Sequence, residues 1–82
     1  MNQSYINIYP NPVSGDLYIE SKPTTKFSCS VQIFSLDGRL LKEDAIIEKS
    51  AEKIDFSGFV TGVYFVKLIF QKNIIVRRII KE

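Results

Sequence analysis

The segment from Phe59 to Leu68, Phe-Val-Thr-Gly-Val-Tyr-Phe-Val-Lys-Leu, constrains the fold more than any other part of the chain. Gly62 gives the backbone a turn that a side chain would oppose, and the run after it is rich in the β-branched and aromatic residues that suit a pleated, half-buried surface. Tyr64, two residues past the glycine, can bury its ring while its hydroxyl bonds back to the connection just crossed. A corner fastened by a tyrosine near the start of a late strand belongs to two-layer antiparallel sandwiches. Alternation then puts Tyr64, Val66 and Leu68 on one face and Val63, Phe65, Lys67 and Ile69 on the other.

The remaining segments repeat this grammar. Tyr5 to Tyr9 alternates, with Ile6 and Ile8 on one face, and Pro10-Asn11-Pro12 ends it rigidly. Ser14-Gly15-Asp16 turns the chain into Leu17 to Glu20, and Ser21 to Lys26, with Pro23, reads as a loop. Cys29, Val31 and Ile33 share an inward face. Asp37-Gly38 predicts a two-residue hairpin with positive φ at both central positions, returning through Arg39 to Glu43. Asp44 to Lys53 is undetermined between a short strand around Ile46 and Ile47 and an irregular connection. Ile54, Phe56 and Phe59 lead into the tyrosine corner, Gln71-Lys72-Asn73 is a polar turn, and Ile74 to Lys81 is the last strand. The fold expected is all-β, an immunoglobulin-like antiparallel β-sandwich of about seven strands. Residues 1–4 read as an N-terminal extension, with Met1 either native or an added start residue, and 5–82 as the single domain.

Composition narrows the chemistry. The 82 residues contain no histidine, so the commonest general base is missing and catalysis is not expected. Glu43 and Asp44 point apart on a strand and read as solvated rather than as an acid/base pair. Asp37-Gly38 lacks the recurring oxygen ligands of a calcium loop, and the four glycines are too scattered to cradle phosphate, so no metal or cofactor is expected. A net charge of +2 gives no nucleic-acid footprint. No run reaches the roughly 18–20 apolar residues of a membrane span, so no direct membrane insertion is expected. Cys29 is the one cysteine, read as a small core residue.

Taken together, Tyr9-Pro10-Asn11-Pro12, Leu17-Tyr18-Ile19, Val31-Gln32-Ile33-Phe34, Asp37-Gly38-Arg39, Ile54-Asp55-Phe56-Ser57-Gly58-Phe59 and Gly62-Val63-Tyr64-Phe65-Val66-Lys67 appear in an order that closely resembles one family. It is the type A C-terminal sorting domain of the type IX, or Por, secretion system of Bacteroidota. The resemblance implies a non-catalytic export signal at the end of a larger secreted precursor that carries an upstream cargo domain and a signal peptide. The implied route runs through the periplasm and an outer-membrane translocon to the cell surface, where a sortase-like enzyme removes the domain and cargo is anchored or released. Phe56 and Phe59 depart from leucines common in the family.

The family's basic, apolar last strand is matched by Arg77, Arg78, Ile79, Ile80 and Lys81, expected to be read by the translocon through charge and strand pairing, or to act as gatekeepers against aggregation. Pro10, Asn11, Pro12, Asp37, Gly38, Arg39, Gly62 and Tyr64 match motif positions whose physical role is to build the recognised shape. Two other readings stand beside the export signal. One is a surface module binding glycan or protein through Tyr5, Tyr9 and Tyr18, and the other is a structural spacer. Exposed edges leave homodimerisation or strand exchange open.

Overall fold

The computed structural model describes residues 5–82; the extension expected at residues 1–4 lies outside them. Seven strands run in order: β1 Tyr5–Tyr9, β2 Asp16–Lys22, β3 Phe27–Ser35, β4 Leu40–Lys49, β5 Ala51–Asp55, β6 Gly62–Ile69 and β7 Ile74–Lys81. They form two antiparallel sheets, β1-β2-β5 and β4-β3-β6-β7, packed as the expected sandwich. Alternation explains the core. Leu17, Ile19 and Ile54 face inward from the smaller sheet, and Cys29, Val31, Ile33, Ile46, Tyr64, Val66, Leu68 and Ile79 from the larger.

Phe56 and Val13, both fully buried, fill the core from the connections rather than from strands. Phe56 meets Phe59 edge-on at 4.9 Å and Tyr64 edge-on at 5.9 Å, and Phe59 stacks on Tyr64 at 5.1 Å. The Tyr64 hydroxyl donates to the Val60 carbonyl at 2.5 Å, which closes the corner that the sequence predicts. Space is not the reason for Gly62: a Cβ there meets nothing within 4 Å, and its φ of 159° is the glycine-favouring feature.

Three local expectations change. The β3–β4 hairpin is not a two-residue turn, because positive φ is found at Gly38 (89°) and not at Asp37. Gly38 N–H donates to Ser35 O at 2.9 Å and Ser35 N–H to Arg39 O at 2.9 Å, so Leu36 to Gly38 form a three-residue loop whose left-handed residue is the glycine. The undetermined stretch becomes the long end of β4 and the start of β5. The chain changes sheets at Ser50, just past a bulge in the β3–β4 ladder between Ile46 and Lys49, where Glu48 has a φ of 51°. Ser21 and Lys22 belong to β2 rather than to the loop, with buried Ser21 donating to Thr25 O at 2.5 Å and accepting the Thr25 N–H at 3.0 Å.

Candidate recognition strand

β7 pairs with β6 along its whole length, from Gly62 opposite Lys81 to Ile69 opposite Ile74, and forms one edge of the larger sheet. Alternation divides the residues expected to be read by a partner. Ile79 is 1% exposed and Lys81 8%, both turned into the sandwich, whereas Arg77, Arg78 and Ile80 are exposed. The Lys81 ammonium reaches back to the Glu82 main-chain oxygen at 3.0 Å while its stem is buried. Lys81 therefore does not stand with Arg77 and Arg78 as an outward charge on the folded domain. Ile74, Val76 and Ile80 lie on the outer face with Arg78, all exposed.

Charge is concentrated at this end of the chain. From Phe70 onward Lys72, Arg77, Arg78 and Lys81 are opposed by Glu82 alone. Arg77 shares the inward parity of Ile75 and Ile79 but lies at the margin where the sheets separate. There an open cleft of about 430 Å³ is lined by Tyr5, Ile6, Phe27, Phe70, Ile75 and Arg77 among others. Its floor is aromatic, with Phe27 and Phe70 6.1 Å apart, and its rim carries the Arg77 guanidinium, which also donates to Val76 O at 3.2 Å.

The Pro10-Asn11-Pro12 motif does more than end β1. The Asn11 amide donates to Arg78 O at 2.9 Å and accepts the Ile80 N–H at 2.9 Å. Val13 continues the contact as a short parallel bridge, donating to Ile80 O at 2.8 Å and accepting the Glu82 N–H at 2.9 Å. Sequence reasoning gave Asn11 a shaping role and missed this contact, because bonds spanning 67 and 69 residues leave no local pattern. The two prolines were the available signal: a strand that stops at Pro-x-Pro beside an isolated asparagine frees that side chain for another partner.

The other motif residues serve the frame. The Ser35 hydroxyl bonds the Asp37 carboxylate, and this bond first among the causes holds Asp37 below the usual carboxylate range. Arg39 contributes its main chain, its N–H donating to Ser35 Oγ at 3.2 Å and its carbonyl accepting from Ser35. Burial pushes the Cys29 thiol up, as suits a core residue. Glu43 accepts from Gln32 at 2.9 Å and Asp44 from the Ala45 N–H at 3.0 Å, two separate surface bonds.

The tyrosine strip divides. Tyr9 and Tyr18, opposite each other in register, stack at 5.6 Å, so each ring covers one face of the other. Tyr9 donates to Glu20 at 3.1 Å and Glu20 pairs with Lys22 at 3.0 Å. Lys22 first and Tyr9 second lower the Glu20 pKa, and the Glu20 bond raises that of Tyr9. Tyr5 stands apart, opposite Lys22 and beside the cleft.

Residues 7–82 match the family described as secretion system C-terminal sorting domain. The chain is also similar to Beta-agarase A of Zobellia galactanivorans, 30% identical over 61 residues. That match takes in 74% of this chain and 11% of the agarase, so the chain spans a small part of that relative's length. With the tyrosine corner, the Pro-Asn-Pro segment and the basic last strand in one sandwich, the chain belongs to the type IX secretion C-terminal sorting domain family.

Proposed function

We propose that this domain directs a larger cargo, joined upstream of it in one precursor, from the periplasm through an outer-membrane type IX translocon. β7 is the element that the translocon reads, and a sortase-like surface enzyme then separates domain from cargo. The observation that carries this reading is the pairing, on one edge strand, of exposed Arg77 and Arg78 with exposed Ile74, Val76 and Ile80. Edge strands invite pairing by an incoming strand, and clustered cations orient an acidic partner. Lys81 and Ile79 support this surface from inside.

The test is a reporter with a signal peptide fused ahead of residues 5–82 in a type IX-competent host. The wild-type fusion is expected at the cell surface, and Arg77→Gln with Arg78→Gln is expected to lower surface delivery about tenfold or more, the scale of losing one or two charge-assisted contacts. Unfolding of the double variant should stay within about 0.5 kcal/mol of the wild type, as for ordinary surface substitutions. Periplasmic retention of a folded wild-type fusion overturns the export reading. Undiminished export of the double variant together with lower solubility overturns the charge readout in favour of gatekeeping.

A further inference from the structure

Antiparallel pairing sends the N–H and C=O of alternate residues to opposite sides of a strand. On β7 the even-numbered residues point away from β6, since Arg78 O, Ile80 N–H and Ile80 O all bond to Asn11 or Val13. The outer edge is therefore in two parts. From Ile74 to the Arg78 N–H it is open, apart from the Arg77 guanidinium on Val76 O. From Arg78 O onward it is occupied, first by a side chain and then by a backbone.

These two covers differ in kind. Val13 is fully buried, so its backbone contact is anchored in the core. Asn11 is exposed, both of its bonds are exposed, and prolines on either side lack the N–H needed to extend a ladder. Its amide, offering one donor and one acceptor, takes the two positions that a paired strand residue would take. Arg78 O and Ile80 N–H are thus covered by one side chain alone, whereas the Val13 contacts are main chain on both sides.

We propose that Asn11 is a removable register stop on the recognition strand: in place, it ends the edge available to a partner strand at Arg78, and swung aside, it extends that edge to Ile80. Asn11 is a positioning residue here, setting which stretch of β7 a partner pairs with. The relevance to sorting rests on β7 being read as proposed above, but the stop itself does not.

Amide hydrogen exchange on the 82-residue chain, followed residue by residue by NMR, tests the stop without secretion machinery, so its failure is separable from failure of the export reading. Asn11→Ala should speed exchange at Ile80 about tenfold, the loss of one hydrogen bond, and leave Glu82 and the β3–β6 amides within about twofold. Asn11→Asp, which keeps an acceptor for the Ile80 N–H, should lose less protection at Ile80 than Asn11→Ala. Equal acceleration at Ile80 and Glu82 in Asn11→Ala would make Asn11 a general support of the terminus and overturn the proposal. So would Ile80 protection that is unchanged in Asn11→Ala.

Discussion

Tyr64 joins the two layers of the corner through one atom. Its ring is 5% exposed, clasped between Phe56 and Phe59, and its hydroxyl is the only part that needs a polar partner. Replacing it with phenylalanine keeps the packing and removes the bond to Val60 O. Tyr64→Phe is therefore expected to fold normally and lose about 1 kcal/mol in urea unfolding, the net worth of a neutral hydrogen bond. A loss of several kcal/mol would mean that the hydroxyl organises the whole Val60–Gly62 connection. Lys81 teaches the opposite lesson about single residues: a lysine among isoleucines reads as an outward charge, yet strand parity turns it inward and its length brings the ammonium back to the chain end.

At the scale of elements, the β3–β4 hairpin depends on Gly38 rather than on the Asp-Gly pair. A β-branched side chain strongly disfavours a φ of 89°, so Gly38→Val is expected to cost about 1–2 kcal/mol, while Gly38→Asn costs less. Denaturant midpoints of the two variants check the order. The strands were legible because period-two alternation is written directly into Ile6 and Ile8, Leu17 and Ile19, Val31 and Ile33, and Tyr64, Val66 and Leu68. The turn type was not, since Asp-Gly suits both a two-residue turn and a longer loop, and the choice depends on where the ladder closes. The bulge in β4 just before the sheet change was hidden for another reason: its left-handed backbone sits on Glu48, a residue that does not advertise one. Of the candidate recognition strand, its place and its basic character were readable. The side-chain stop on its edge was not, because it joins residues from opposite ends of the sequence.

For the whole molecule, acid is the informative stress. Asp37, Asp55 and Glu20 have folded-state pKa values below their ordinary ones, caused first by the Ser35 hydroxyl, Ser57 and Lys22 respectively. A carboxyl whose pKa is lowered by folding contributes stability above its unfolded pKa, near 4, and loses that contribution as pH falls through the folded value. Thermal unfolding should therefore be nearly flat from about pH 8 to pH 5 and decline below about pH 4. Asp55→Asn should make that decline shallower, since its Oδ1 still accepts the Ser57 N–H without titrating. An acid limb of the same slope in that variant would place the titration elsewhere.

The bridge from Val13 to Ile80 and Glu82 also bears on the order of folding. The core seals only when nearly the last residues reach back to the first connection, and such sequence-distant pairing forms late. A chain truncated before Ile80 leaves Val13 without its bridge and only the Gly62–Val63 end of β6 unpaired, so the two layers are not tied at that end. A fold closed in this way behaves like a clasp: the first connection and the last strand become ordered together, and neither is finished without the other.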